Sequence, residues 1–259
     1  GDFLEVTLSD SPGPVQFTCS EPAVPLGADN LVVQAAEAFR RATGTEWGLD
    51  IHLEKHIPME AGLGGGSSNA ATTLLALNKL VDEPLELEAL SELAATLGSD
   101  CPLFLHRVPL VMRGRGEQIE PLSAEVSASL SGQVMALFKP TIGLSTAWAY
   151  GVLAEHPGWY ADEVEIEKQL EAWKQGELPL EALLQNSFEG PVFEKFVAFP
   201  ALFNRIRSEL GLHPLMSGSG SSCFALLPGL AMQEPLEALV VDAFSELGFF
   251  KVCRIGGNV

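Results

Sequence analysis

Pro58-Met59-Glu60-Ala61-Gly62-Leu63-Gly64-Gly65-Gly66-Ser67-Ser68 is the stretch on which the fold of this chain turns. Before it, Gly48 to Leu53 reads as a strand. After it, Asn69 to Leu80 has the apolar spacing of a helix, with Leu74, Leu75, Leu77 and Leu80 available for burial. Glycines let backbone N–H groups approach a ligand with no Cβ in the way. The helix start adds unpaired N–H donors and the positive end of the helix dipole, which suits phosphate oxygens. A flexible linker is the bland alternative, but linkers rarely run straight into so apolar a helix. No Lys-Ser or Lys-Thr follows the last glycine, so this is not a Walker A loop. Ser67 stands where a Gly-x-Gly-x-x-Gly fingerprint begun at Gly62 needs its third glycine, so it is not a Rossmann turn.

Working outward, Phe3 to Leu8 alternates as a half-buried strand. Asp29 or Asn30 caps a helix running from Leu31 past Phe39, with Gly44 near its stop. Beyond the glycine stretch, Leu85 to Leu97 predicts a helix closed by Gly98 in the role of a C′ residue. Val108 to Met112 and Val134 to Phe138 read as strands. Ala161 to Leu184 predicts an acidic helix whose charges form a solvated face. Strands at Cys223–Leu227 and Phe249–Ile255 flank a helix from Pro235 to Leu247. This alternation lacks the regular βαβ spacing of a doubly wound sheet and predicts an α+β fold of two domains, 1–127 and 128–259.

Fifteen Lys and Arg against 34 Asp and Glu leave 259 residues with a net charge of −19. That balance argues against nucleic acid or an anionic membrane surface as partner. With 47% apolar residues, global disorder is excluded. No apolar run reaches the roughly 18–20 residues of a membrane span. Cys19, Cys101, Cys223 and Cys253 lie far apart and fit reduced thiols of the cytoplasm. The histidines show no metal-ligand spacing, and no Gly-x-Ser-x-Gly elbow supports a hydrolase. The amino end has no signal-peptide pattern. It opens without Met, close to a strand, and reads as a fragment or processed form.

Two further stretches stand out. Gly98-Ser99-Asp100-Cys101-Pro102-Leu103-Phe104 sets one acid between a helix stop and an apolar run, where alone it would be a turn residue. Ser217-Gly218-Ser219-Gly220-Ser221-Ser222 has a linker's composition, but its flanks Leu215-Met216 and Cys223-Phe224-Ala225 are apolar and demand a tight loop. More than a hundred residues separate the two glycine stretches, so they are expected to meet at a cleft between domains.

Together these motifs resemble those of the GHMP kinase superfamily, the galactokinase, homoserine kinase and mevalonate kinase group. The fuller form, Gly62 to Ala71, resembles the branch that acts on a cytidine-diphosphate-linked methylerythritol in isoprenoid-precursor synthesis. The resemblance implies a ribosomal protein S5 domain 2-like first domain and a ferredoxin-like second domain. It implies ATP-dependent phosphorylation of the 2-hydroxyl of 4-diphosphocytidyl-2-C-methyl-D-erythritol, with ATP and Mg²⁺ required and the metal ligands unassigned. Pro58, Met59, Glu60, Ala61, Gly62, Leu63, Gly64, Gly65, Gly66, Ser67 and Ser68 would then hold ATP, with Asn30, Leu31, Ser217, Gly218, Ser219 and Gly220. Asp100 would be the catalytic base or orienting acceptor for the hydroxyl.

Asn69 and Tyr150 would contact the small-molecule substrate. Asn30 reads equally well as a helix cap, and Tyr150 as a core aromatic. Arg113 to Glu117 reads as a β-turn and Asn186 to Glu189 as a structural helix start. Glu60 stands where the family has a small residue; it can face solvent, approach Mg²⁺ or weaken ATP binding. The family's lysine-bearing first strand and Gly-Tyr-His segment have no match here. Lys55, Lys79 and Lys139 occur in other contexts. The alternatives are another GHMP kinase, of homoserine or mevalonate type, or a catalytically impaired nucleotide-binding protein. The partner expected is a small molecule, with no nucleic acid and no membrane, and the state a monomer or homodimer.

Overall fold

The computed structural model describes residues 1–116 and 118–256. The chain forms two compact units: residues 1–58 with 64–124, and residues 59–63 with those from 125 onward. Helices and strands mix in both, giving the α+β architecture that the alternation predicts.

In the first unit, β1 (Phe3–Pro12), β2 (Val15–Cys19) and β3 (Trp47–Glu54) form a sheet in the order β1-β3-β2. The central β3 runs antiparallel to β1 and parallel to β2. Its Leu49, Ile51 and Leu53 point into the core at period two. Helices α1 (Leu31–Thr43), α2 (Gly65–Leu80) and α3 (Leu87–Leu97) bury the same core. Ala35 and Ala36 of α1 and Ala70 and Ala71 of α2 are fully buried, which lets the two backbones lie close. A hairpin of β4 (Leu110–Arg113) and β5 (Gln118–Pro121) completes the unit. Glu117 lies outside the described residues.

In the second unit, α4 (Ala124–Leu130) leads to β6 (Val134–Pro140), the centre of an antiparallel sheet. Its other strands are β7 (Pro214–Met216), β8 (Cys223–Leu227) and β9 (Leu247–Arg254), in the order β7-β8-β6-β9. Between β6 and β7 come α5 (Thr146–Glu155), α6 (Glu163–Lys174), α7 (Glu189–Lys195) and α8 (Ala198–Arg205), and α9 (Gln233–Phe244) follows β8. Val134, Ala136 and Phe138 of β6 meet Phe199, Leu202 and Phe203 of α8 and Leu236 and Val240 of α9 in one apolar core.

Several sequence expectations are corrected. Helix α2 begins at Gly65, not Asn69. Glycines lower helix propensity, but this first turn is fixed by what packs beneath it. Leu80, one turn past Leu77, is on the exposed side. Gly98 is extended, with φ 173°, rather than left-handed. The acidic helix stops at Lys174, and after Gly176 and Pro179 only a short 3₁₀ turn, Leu180–Leu183, remains. Strands β2 and β5 add to the sequence expectation, and in β2 Val15, Phe17 and Cys19 alternate with exposed Gln16 and Thr18.

Candidate active site

The glycine stretch is divided by the fold. Its later part opens α2. Gly64 occupies the N-cap position with left-handed φ 63° and ψ 20°, and no side chain caps the helix. The first backbone bond is Ser68 N–H to Gly64 O. The N–H groups of Gly65, Gly66 and Ser67 therefore keep the unpaired state of a helix start, with no acid in the first turn to neutralise the dipole. A Cβ at Gly64 would lie 2.6 Å from the Phe104 ring, so only glycine admits this turn over Phe104.

Phe104 belongs to the Asp100 segment, where its N–H donates to Cys101 O in a 3₁₀ turn, Pro102–Leu105. Cys101 is buried, and burial pushes the pKa of its thiol up. Asp100, the next residue, is exposed. Gly64 and Phe104 thus pack the start of α2 against the segment that carries Asp100. Leu31 joins this group, its Cδ1 3.6 Å from where a Gly66 Cβ would stand. Asn30 spends its amide locally: Oδ1 accepts from Val32 N–H at 2.8 Å and Nδ2 donates to Pro25 O at 2.7 Å.

Two residues that sequence reasoning missed support the same turn. Asp2 Oδ1 accepts from the backbone N–H groups of His56 and Ile57, both at 2.7 Å. Asp2 Oδ2 accepts from Lys55 Nζ at 2.5 Å and from Asn69 Nδ2 at 2.9 Å. Lys55 Nζ lies 3.1 Å from where a Gly65 Cβ would be, so a lysine read as out of context sits under the helix start. Asn69 is buried, with its amide donor held by Asp2. Burial alone would raise the Asp2 pKa; the bonds from Ile57, Lys55, His56 and Asn69 outweigh it and hold the carboxyl below its ordinary 3.8.

A depressed folded pKa contributes stability that is present above the unfolded pKa and lost as pH falls through the folded one. Asp2→Asn is therefore expected to cost about 2–4 kcal/mol at pH 7, because an amide donor replaces the oxygen that accepts from Lys55 and Asn69 and leaves Lys55 unpaired. That difference should hold down to the ordinary 3.8 and shrink only below it. Urea unfolding of both proteins across pH measures it.

The earlier part of the stretch, Met59–Leu63, belongs to the second unit, where it meets the other glycine loop. That loop joins antiparallel β7 to β8, with Ser217 N–H donating to Ser222 O at 2.8 Å. Ser217 Oγ donates to Gly62 O at 2.8 Å, and Ser222 N–H to Ala61 O at 3.1 Å. Thr146 and Ser219 hydroxyls pair at 2.9 Å, and Ser221 Oγ donates to Ile142 O. The expected meeting of the two stretches thus takes place inside the second unit, through residues 59–63.

Glu60 is exposed, with φ 51°, and its Oε2 lies 2.9 Å from where a Gly143 Cβ would be. Lys139 is buried and donates to Pro140 O and Ile142 O, both at 3.3 Å. Burial lowers the Lys139 pKa, and the nearby Glu60 carboxylate partly opposes this. Tyr150, on α5, is 57% exposed and sets its ring edge-on to Phe188 at 4.7 Å, so it is a surface aromatic rather than a core one. It stands apart from both glycine loops in sequence and shares none of the bonds above. Among the described residues, no three His, Cys, Asp or Glu converge as a metal site.

Comparison with known proteins adds independent findings. Residues 30–107 match the family described as GHMP kinases N terminal domain. The chain is 34% identical over 252 residues to a 4-diphosphocytidyl-2-C-methyl-D-erythritol kinase of Synechococcus sp. (strain JA-2-3B'a(2-13)), covering 94% of this chain and 79% of that protein. A crystal structure of 4-(cytidine 5'-diphospho)-2C-methyl-D-erythritol kinase superposes with TM-score 0.72 at 36% identity, covering 99% of this chain and 87% of that one. A homoserine kinase from Cytophaga hutchinsonii superposes with TM-score 0.77 at 18% identity, covering 98% and 85%; that likeness shows the fold.

Proposed function

Because this chain belongs to the 4-diphosphocytidyl-2-C-methyl-D-erythritol kinase family, we propose that it transfers the γ-phosphoryl group of ATP to the 2-hydroxyl of that family's cytidine-bearing acceptor. The observation that carries the reading is the packing of Gly64, at the uncapped start of α2, over Phe104 of the segment that carries Asp100. Phosphoryl transfer depends on alignment and charge stabilisation more than on covalent chemistry. The N–H groups of Gly65 to Ser67 would receive phosphate oxygens, Leu31 would line the nucleotide's path, and Asp100 would accept the proton of the acceptor hydroxyl. Within the second unit, Met59–Leu63 and Ser217–Gly220 are bonded to each other and are phosphate-binding candidates in their own right.

Mg²⁺ in such reactions is held largely by substrate phosphates and one or two carboxylates, so a converging triad is not needed. The exposed Asp100 carboxylate and the Ser67 and Ser68 hydroxyls fit that hard-oxygen chemistry. When bound, the ion neutralises phosphate charge. Local donors matter here because a net charge of −19 repels both anionic ligands over the roughly 8–10 Å that salt leaves unscreened.

A cytoplasmic enzyme, free of nucleic acid and working as monomer or homodimer, is the setting we infer. Four free thiols support it, and no described helix is long and apolar enough to cross a membrane. ADP release from MgATP by the full-length gene product tests the substrate. Turnover with the diphosphocytidyl acceptor and none with homoserine or mevalonate is expected; turnover with a plain alcohol alone would overturn it.

A further inference from the structure

The start of α7 grips the loop between β7 and β8. Asn186 Nδ2 donates both its protons, to Met216 O at 2.7 Å and to Gly218 O at 2.8 Å. Its Oδ1 accepts from Phe188 N–H at 2.9 Å, which fixes the amide's orientation. One turn on, Glu189 Oε1 accepts from Met216 N–H at 2.9 Å. The Met216 residue is thus held at both its N–H and its C=O by side chains of a single turn.

The consequence lies in the peptide planes. In a trans peptide the C=O and N–H point in opposite directions. Drawing Gly218 O toward Asn186 therefore turns Ser219 N–H the other way. The Gly220 N–H to Ser217 O bond, at 2.9 Å, in the same way turns Gly218 N–H away from Gly220. Gly218 has φ 54°, a backbone region that glycine enters without strain.

We propose that Asn186 is the positioning residue of this loop: by holding Gly218 O it aims Ser219 N–H as a donor to the phosphates of a nucleoside triphosphate. This rests on the kinase reading above and adds to it the side chain that sets a particular donor. Nothing in the residue pattern marks Asn186 for the task, since its partners are thirty residues away and on another element.

The test compares ATP and adenosine binding to the full-length wild type, Asn186→Ala and the neighbouring control Ser187→Ala, whose hydroxyl serves Ala161 N–H. Two lost hydrogen bonds should weaken ATP about tenfold in Asn186→Ala and leave adenosine within about twofold. Ser187→Ala should change neither. Wild-type ATP affinity in Asn186→Ala, or equal loss for both ligands, would overturn the proposal. A wild type that does not bind ATP would sink the kinase reading itself and the proposal with it. Should Asn186→Ala not fold, amide exchange in the wild type decides: ATP, not adenosine, slows Ser219 exchange, and an unchanged Ser219 amide refutes the assignment.

Discussion

Asp100→Asn is expected to lower kcat by about 10²–10⁴ while leaving the KM for ATP nearly unchanged. The side chain is exposed, and asparagine matches aspartate in shape, so packing is not disturbed. What is lost is the negative charge that accepts or orients the hydroxyl proton. The helix start, which receives the phosphates, is untouched. A substitution that removes an interaction made only in the transition state lowers kcat and kcat/KM together. Steady-state kinetics in both substrates would read this directly, and a variant with wild-type kcat would remove Asp100 from the reaction.

Gly62→Ala should be nearly as severe, through geometry rather than charge. Gly62 has φ 68°, and an added Cβ would overlap Ser217 O and lie 2.9 Å from both Gly220 N and Gly220 O. A left-handed alanine costs about 1–2 kcal/mol before any clash. Relieving the clash must part the two glycine loops and break the Ser217 hydroxyl bond to Gly62 O. Loss of about 2–4 kcal/mol in stability and at least ~10²-fold in ATP affinity is expected. Gly66→Ala provides the contrast: its Cβ would meet only Leu31 Cδ1 at 3.6 Å, within a helix, so the melting temperature should hold or rise. Equal melting temperatures for Gly62→Ala and wild type would show that the loops do not depend on each other.

Much of this was legible in the residues themselves. The cap expected at Asp29 or Asn30 falls on Asn30, the helix stops at Gly44, near which its end is expected, and the strand Cys223–Leu227 stands where the sequence places it. The glycine stretch announced its strand–loop–helix setting because every part of that signal is contiguous. The support beneath it was not legible. Asp2 reaches Lys55 because β1 pairs with β3 in a register that sets Phe3 opposite Glu54, carrying the preceding residue alongside the following one. No periodicity in either segment encodes that register. Asn186 to Glu189 read as a helix start and is one, but its bonds to Met216 and Gly218 depend on where β7 lies. Tyr150 and Leu80 are exposed for a related reason: apolar character was visible, but the face each presents is set by what packs on α5 and α2.

The most direct test of the central claim follows the phosphate itself. With MgATP and the diphosphocytidyl acceptor, ³¹P NMR of a reaction run by the full-length gene product should show ADP and a new phosphomonoester on the acceptor growing in step, and neither should grow at that rate with Asp100→Asn. ADP accompanied only by inorganic phosphate, or a phosphomonoester formed equally fast by the variant, would contradict it.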